Sequence, residues 1–479
     1  MAKETKKPQE GKKDGRKSLK KTKTDCKGAE RHGKKKAKQT LICQEPSTAG
    51  IDIAKDVIQV CVPSDRDEDS NREFQSFTED LHAIAKWLKK CGVKRCIMES
   101  TGHYWFHLFY ILDNYGFETI LVNPADIKNY TARKSDVGDA EWLMFIGSHG
   151  LYKQSFHTSW WVSDLKSLSR HRETLIKDAA REMQHMQKAM ELMNIKLSSV
   201  ISDISGLSGM NIIKAILGGE RDPHKLAELA DYRCSSTKEE IAKALEGTWN
   251  RAYLLELRQA LKCYEYKRDQ ALECEREIEC IIKENVPEYN NDALPYESMK
   301  KQKVKSSVHF DIERMAYDAW HVNVMTIPGI SDGAVIRLLS ELGPNFLSKF
   351  PTAKKFCRWC NVAPKDGISG GKILYCRMER RKNEVGQVFR QAAVTLTRSK
   401  TSLGLLYRKI KSRVGPIKAN VYVAHKIATI FYIMIKTGQN YIESLTAEAE
   451  ETMLSKRIKR LEKEKLRLQL KLETHCTVI

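Results

Sequence analysis

Alternating apolar and polar positions are clearest in the first third of the chain. Residues 49–62 form two alternating runs joined by a short polar turn, which predicts a β-hairpin. The pattern then predicts further elements in this order: a third strand at REFQSF, a helix over 80–91, a strand over 94–98, a helix over 104–115, a strand over 118–122 and a last helix. We therefore expect an α/β domain over residues 47–152.

Four acidic residues fall at special points of this pattern. Asp52 lies on the first strand, and Glu99 closes the apolar run before Ser-Thr-Gly. Asp136 and Asp139 are three residues apart, a spacing that places both carboxylates on one face of a helix. Any one of them alone is more often a solvated side chain or a helix cap. Together they predict a magnesium site of the RNase H type, since magnesium prefers hard oxygen ligands.

The middle of the chain carries two long helical patterns. Apolar residues recur at three- and four-residue steps from Leu165 to Leu197 and again from Leu254 to Ile282. The patterns predict a helical coiled-coil region over residues 153–307, formed as an antiparallel hairpin or between chains, with an insert over 203–248. We interpret the methionines of the first pattern as packing residues.

A C-terminal domain is expected over residues 308–445. Its TIPGI segment places a Pro-Gly turn between helical segments, which is typical of a helix-hairpin-helix that binds phosphate and equally of a simple structural turn. The last segment, 446–479, has apolar residues at coiled-coil spacing and predicts a short coiled-coil tail or a solvated helix.

Ser369 lies in the Gly-rich sequence VAPKDGISGGK, between Gly367 and the pair Gly370 and Gly371. The segment is not a P-loop, because Ile follows Lys372 and the glycine spacing is wrong. Cations follow the serine at Lys372, Arg377, Arg380, Arg381, Lys382 and Arg390. A serine among cations indicates a phosphate-binding loop or a nucleophile, since positive charge stabilises an alkoxide and a pentavalent phosphorus.

Charge is unevenly distributed along the 479 residues, whose net charge is +21. Residues 1–40 carry +11 and residues 346–426 carry +16. Such blocks attract polyanions and favour a nucleic acid as partner. An anionic membrane surface is the competing interpretation, but the most apolar stretch, 427–435, is too short to span a bilayer. Residues 1–46 contain few large apolar side chains and are expected to form a disordered basic arm.

Thirteen cysteines raise the question of disulfides or zinc. A long basic chain whose Lys-rich beginning lacks the apolar core of a secretion signal is expected to keep its thiols reduced. Cys357 and Cys360 form a CxxC without a matching second pair, so we favour buried thiols over a zinc site.

Several motifs together resemble the DEDD transposases of bacterial insertion sequences, which are recombinases guided by a bridge RNA. The resembling segments, spread over about 48–440, are GIDIAKD, MESTGHYW, LVNP, KSDVGDAEWL, HGLYKQSF, NIKLSSVISDISGLSG, TIPGI, VAPKDGISGGK and FRQAA. The resemblance implies a RuvC-like site for Mg²⁺ at the four acids and a nucleophile at Ser369 in a C-terminal transposase domain.

The resemblance also implies the partners: DNA, a guide RNA and further copies of the chain, assembled as a dimer or tetramer through coiled-coil helices. It implies a cytoplasmic, nucleoid-associated protein of bacteria, with no membrane partner. Two departures are visible. One is the basic arm of residues 1–46, and the other is the segment RRKNEVGQVFR, because the family often has Gly-Asn before Leu-Arg after the serine; here Asn383 and Arg390 are the candidates for the same purpose.

Two other classes of function stay open. One is a metal-dependent nuclease of the Holliday-junction type, which hydrolyses DNA without a serine intermediate. The other is a non-catalytic nucleic-acid-binding protein descended from a transposase, against which the intact set of acids argues.

Deleting residues 1–46 tests the basic arm. Because each Lys or Arg bound to a phosphate releases counterions, the truncated protein should bind DNA with a shallower dependence of log K on log salt. Titrations of labelled DNA at several salt concentrations measure the slope. Loss of all catalysis at low salt would show that the arm belongs to the catalytic machinery.

Overall fold

The computed structural model describes residues 42–100, 102–124, 138–290, 296, 298–299 and 308–443, with isolated helical positions between 455 and 469. The chain divides into two compact units, Met1–Gln154 and Ser155–Ile479. Nearly all of the predicted basic arm, most of the polar stretch before residue 308 and much of the predicted tail lie outside the described residues.

The first unit is built on a mixed five-stranded sheet in the order β3-β2-β1-β4-β5. Its strands are β1 (Thr48–Ile53), β2 (Val57–Cys61), β3 (Asn71–Gln75), β4 (Arg95–Glu99) and β5 (Glu118–Val122). The hairpin strands β1 and β2 pair antiparallel, as do β2 and β3, whereas β1, β4 and β5 run parallel. The predicted hairpin with Asp52 on its first strand is confirmed.

Helices cover both faces of this sheet. The helices α1 (Thr78–Lys90) and α2 (Trp105–Asn114) pack with one face, where Ile51 and Met98 are buried. The helix α3 (Asp139–Ser148) packs on the other face, with Ile97. Neighbouring residues of one strand enter different cores because side chains alternate across a sheet. This mixed sheet with its helices fits an RNase H-like domain, and the expected α/β class is confirmed.

Two long helices begin the second unit, α4 (Trp160–Leu192) and, after four short helices, α9 (Arg251–Asn285). The short helices of the insert are α5 (Leu197–Val200), α6 (Leu207–Leu217), α7 (Pro223–Glu228) and α8 (Lys238–Ala244). Leu165 shares a core with Ile282, and Met186 shares another with Leu257, so α4 and α9 pack antiparallel within the chain. An intermolecular coiled coil stays a prediction.

A buried ion pair joins the two long helices at mid-length. Nε of Arg172 donates a hydrogen bond of 2.6 Å to one oxygen of Glu275, Nη2 lies 2.5 Å from the same oxygen, and both side chains are buried. The other oxygen of Glu275 accepts from the backbone N–H of His309 at 3.0 Å. Arg172 and these hydrogen bonds lower the pKa of Glu275, although burial alone would raise it. The pair therefore ties the helical hairpin to the start of the C-terminal domain.

The C-terminal domain is mainly helical, as expected. Its helices are α10 (Ile312–Trp320), α11 (Asp332–Leu342), α12 (Ala353–Trp359), α13 (Glu384–Thr395), α14 (Ser402–Val414) and α15 (Pro416–Thr437). Their apolar faces meet around a cluster of buried aromatic rings at Phe346, Phe356, Phe389 and Phe431. Among the described helices of both units, none combines the length and apolar character that crossing a bilayer requires.

The TIPGI turn of this domain is expected to be either a helix-hairpin-helix or a simple structural turn. A 3₁₀ helix, Val324–Thr326, ends at the first residue of the TIPGI segment, and α11 begins at Asp332. Gly329 has a φ of +91°, and a Cβ there would lie 2.8 Å from the Ala392 carbonyl oxygen. The glycine is therefore required by close packing on α13. A helix-hairpin-helix phosphate site stays a prediction.

Replacing Gly50 by Ala tests the packing of α3 on the sheet. A Cβ at this position would overlap the Ala140 carbonyl oxygen and the Met144 amide nitrogen, so α3 must move away. Overpacking of this kind costs about 3 kcal/mol, and we expect a comparable loss of protection for the amides of β1. Hydrogen exchange followed by mass spectrometry measures it locally.

Gly138→Ala is the matched control, because an added Cβ there meets no described atom within 4 Å and its φ is −60°. Because Gly138 is the N-cap of α3, where Ala is less favourable than Gly, the change should cost about 1 kcal/mol or less, well below the effect of Gly50→Ala. Equal protection of β1 in the wild type and the Gly50→Ala variant would show that the helix does not rest on this glycine.

Candidate active site and nucleic-acid interface

Two of the predicted acids stand at the ends of neighbouring parallel strands. In the pairing of β1 with β4, Ile51 lies opposite Met98. The next residues along the two strands are Asp52 and Glu99, both half-buried. Because the strands run parallel, these carboxylates occupy the same level at the carboxyl edge of the sheet.

Both acids point to the face covered by α3. A Cβ at Gly50 would meet the backbone of α3, and Asp52 lies two residues further along the strand, on the same face. A Cβ at Gly147 of α3 would lie 2.8 Å from the Ile97 side chain, which places Glu99 on that face as well. The alternation of the strands therefore brings the two carboxylates under one helix.

The direction of α3 brings its first residue toward them. Gly147, near the end of the helix, lies over Thr48, while Ala140 and Met144 lie over Gly50. The helix thus runs opposite to β1 and begins at the edge that holds Asp52. Its first residue is Asp139, which is exposed. Carboxylates near a helix N-terminus are stabilised by the positive end of the helix dipole.

Asp136 lies outside the described residues, so its place beside Asp139 stays a prediction. Within the described ranges, no three His, Cys, Asp or Glu side chains stand close enough to hold a metal ion. Asp52, Glu99 and Asp139 lie toward the same edge and face of the sheet but do not approach one another as ligands of one ion, and they carry the carboxylate oxygens that Mg²⁺ prefers. The donor chemistry fits a divalent ion, and its binding stays a prediction.

Ser369 lies at the tip of an exposed hairpin that the sequence pattern did not predict. The strands β6 (Lys365–Ser369) and β7 (Lys372–Arg377) pair antiparallel, with Ser369 opposite Lys372. Gly370 and Gly371 have φ values of +55° and +76°, the sign that a type I′ turn requires at both central positions. The two glycines therefore close the tightest hairpin turn and present the serine hydroxyl beside a lysine.

The base of the hairpin is organised around Tyr375. This side chain crosses the sheet over Gly367, where any Cβ would overlap its ring. The guanidinium carbon of Arg377 lies 4.5 Å from the centre of the same ring. Ile368, Ile373 and Leu374 remain about two-thirds exposed, an unusual share of apolar surface for a two-stranded hairpin.

The predicted cations differ in whether they make hydrogen bonds to the rest of the fold. Lys372, Arg377, Arg380 and Lys382 are exposed. Arg381 donates to the carbonyls of Arg358 and Trp359 and to Glu379.

Arg390 has a structural contact of its own, because its Nη2 donates to the Asn361 carbonyl. Asn383, which departs from the family pattern, caps α13 by accepting from the Gly386 amide at 2.8 Å. Arg381, Arg390 and Asn383 therefore hold the loop after the hairpin, and any contact with nucleic acid comes in addition.

Sequence reasoning missed three residues of this region. Asn361 has a φ of +55°, and its side-chain amide donates to the carbonyls of Glu379 and Arg381. Tyr375 orders the hairpin, and Asn420 lines a pocket beside it. The Asn-Val-Ala-Pro sequence at Asn361 carried a turn signal. The other two had none, because their roles depend on contacts across the fold.

Cys357 and Cys360 are buried in the core of the C-terminal domain. The Cys357 thiol lies 3.5 Å from the Thr429 hydroxyl. Burial raises the pKa of both thiols. A raised pKa disfavours the thiolate that zinc and redox chemistry need, so the two side chains behave as small apolar residues.

Comparison with known sequence families gives two matches. Residues 49–195 match the transposase family DEDD_Tnp_IS110, and residues 322–408 match the Transposase IS116/IS110/IS902 family. The first match contains the sheet and the four acids, and the second contains the hairpin with Ser369. No curated protein matches the chain.

A mixed sheet that fits an RNase H-like domain, followed by a mainly helical region, does not by itself define a function. The two matches make the class specific, because they cover both parts in the expected order. The two matches support an IS110-type DEDD transposase, that is, a DNA transposase or recombinase.

Proposed function

We propose that the chain cuts and rejoins the DNA of a mobile insertion sequence through a covalent serine intermediate, in a reaction that depends on Mg²⁺ and is guided by a bridge RNA. The observation that carries the proposal is the hairpin tip, where Ser369 is exposed beside two glycines and a lysine. A nucleophile must reach the DNA backbone, and glycine neighbours let the chain approach it without Cβ clashes.

Asp52, Glu99, Asp136 and Asp139 are the proposed ligands of the magnesium. A divalent ion at such a site would stabilise the charge that develops on the phosphate oxygens during strand cleavage. The support is the shared edge and face of Asp52, Glu99 and the beginning of α3. The half-buried positions of Asp52 and Glu99 would hold their carboxylates in place, while exposed Asp139 would stay accessible to the DNA strand.

The proposed step at Ser369 is a transesterification. The hydroxyl oxygen attacks the phosphorus and forms a P–O bond, while the bond from phosphorus to one flanking strand breaks. The released strand end leaves as a hydroxyl and takes up the proton that the serine gives off. Because a phosphodiester is kept, the strand is rejoined by the reverse attack of a hydroxyl end, without hydrolysis.

The exposed cations are proposed to position the DNA. Lys372 lies opposite Ser369, and Arg377, Arg380 and Lys382 follow on the exposed surface after it. Their charge would bind phosphates and stabilise the negative charge of a pentavalent phosphorus. Arg381 and Arg390 donate hydrogen bonds to backbone carbonyls and keep the loop ordered. Their positive charge would add to the attraction of the DNA phosphates.

Assembly of several chains is proposed through helices. The support lies in the tail, where helical positions Ile458, Leu461 and Leu468 are each more than half exposed. An exposed apolar stripe at coiled-coil spacing is stabilised by a second helix. The guide RNA is proposed from the family resemblance, and the block of +16 over residues 346–426 is compatible with RNA as well as DNA.

A metal-dependent junction nuclease is the second candidate. It uses water as the nucleophile, and the acids at the sheet edge serve both candidates equally. The exposed serine at a glycine turn favours the transposase reaction, because a hydrolase has no need for it.

Ser369→Ala separates the two candidates. The variant should still bind DNA, but it should form no covalent protein–DNA species, whereas the wild type should form one in the presence of Mg²⁺. Denaturing electrophoresis of labelled donor DNA measures the covalent species. Removing a hydroxyl from an exposed turn should leave the fold unchanged.

Ser412→Ala is the control, because Ser412 is an exposed serine on the basic helix α14 and its hydroxyl donates only locally, to the Lys409 carbonyl. It should behave like the wild type. Equal cleavage by the Ser369→Ala variant would exclude the nucleophile and favour the junction nuclease.

A further inference from the structure

A pocket of about 630 Å³ opens beside the loop that follows the hairpin. Four cations line it: Arg380, Arg381, Lys382 and Arg390. Among the described residues of the lining, Glu379 is the one acid, and it already pairs with Lys365 and Arg381. The pocket therefore has an excess of positive charge and is suited to an anion.

The opposite wall of the pocket is largely apolar. Val394 of α13, Tyr407 of α14 and Ile417 and Val421 of α15 contribute to it. Ile417 is 82% exposed although it is a large apolar side chain. A free phosphate would leave this wall in water, whereas a ligand with a flat apolar part would cover it.

Two polar atoms of the lining make no hydrogen bond within the part of the chain that the structure describes. They are Nε of Arg390, a donor, and Oδ1 of Asn420, an acceptor, and both are buried atoms. A buried polar group without a partner costs free energy, and such groups are rare in folded proteins. Both atoms belong to side chains that line the pocket, so a ligand that accepts from Arg390 and donates to Asn420 would satisfy them.

The walls are held in place without the ligand. Asn361 donates to the carbonyls of Glu379 and Arg381, and Arg381 donates to the carbonyl of Trp359. Arg390 is fixed by its hydrogen bond to the Asn361 carbonyl. A site whose charged side chains are already positioned loses little conformational entropy when it binds.

The geometry points to a binding pocket for one unstacked nucleotide of the nucleic-acid strand that passes the hairpin. The phosphate would contact the cations, the base would cover the apolar wall, and an N–H or sugar hydroxyl would donate to Asn420. This inference rests on the proposed function only in requiring a bound strand. Extruding a base from its stack costs a few kcal/mol, which a preformed pocket can offset.

Binding of mononucleotides to the full-length protein tests the pocket. Equilibrium dialysis in a chelating buffer would use deoxynucleoside and ribonucleoside 5′-monophosphates, with inorganic phosphate as the competing probe. We expect both nucleotides to bind more tightly than inorganic phosphate. A preference for the deoxy series would assign the pocket to DNA, and a preference for the ribo series would assign it to RNA.

Asn420→Leu removes the acceptor at similar volume and should weaken nucleotide binding about fivefold, with no change for inorganic phosphate. Gln387→Leu, the same change of an exposed amide on α13, is the control and should have no effect.

Ile417→Asp is a second test variant that should leave the fold intact. The position is exposed and lies in the first turn of α15, where acids are favoured. It should weaken both nucleotide and phosphate.

Inorganic phosphate binding as tightly as the nucleotides, with no effect of Asn420→Leu, would overturn the inference and leave a simple anion site. No binding of any probe would overturn it as well. Because the chelator prevents metal-dependent chemistry, this outcome is independent of catalysis. Nucleotide binding without covalent DNA would contradict the proposed function alone.

Discussion

The contact of helix α3 with strand β1 at Gly50 is the constraint on which the first unit depends. Any side chain larger than hydrogen would collide with the backbone of the helix at Ala140 and Met144. Gly147 makes a second close approach, over Ile97 and Thr48. Two glycines, one on the strand and one on the helix, thus fix the distance and direction of α3. Its first residue, Asp139, is thereby directed to the sheet edge that holds Asp52, one residue before the end of β1, and Glu99, the last residue of β4.

A glycine in close contact with the backbone also supports the loop that follows the Ser369 hairpin in the C-terminal domain. Gly386 of α13 lies against the Cys360 carbonyl, where a Cβ would overlap the oxygen. This contact places α13 beside the end of α12, and Asn361 joins the two to the loop after the hairpin. The hairpin itself buries almost nothing. Its order comes from the Gly370–Gly371 turn and from Tyr375 packed over Gly367, which leaves Ser369 exposed on a locally defined support.

Much of the fold follows from patterns that are local in sequence. The alternation around Asp52 predicted the first hairpin, and the helical spacing from Leu165 predicted α4, because core-facing residues repeat with the period of their element. The predicted helix ran on to Leu197, whereas α4 ends at Leu192 and Asn194 has a φ of +59°. The hairpin of Ser369 escaped prediction, since its apolar residues are exposed and its glycines are typical of a loop. The pocket at Asn420 could not be predicted from the sequence, because its lining comes from segments up to 60 residues apart in the chain.

Binding of Mn²⁺, which shares the oxygen-ligand preference of Mg²⁺, tests most directly whether the four predicted acids form a metal site. Electron paramagnetic resonance of the full-length protein measures the free ion during a titration. Our account predicts binding by the wild type and an affinity about tenfold or more lower in Asp52→Asn and Asp139→Asn. Glu73→Gln, an exposed acid on β3, should leave the affinity unchanged. Equal affinity in all four proteins would contradict the assignment of the site.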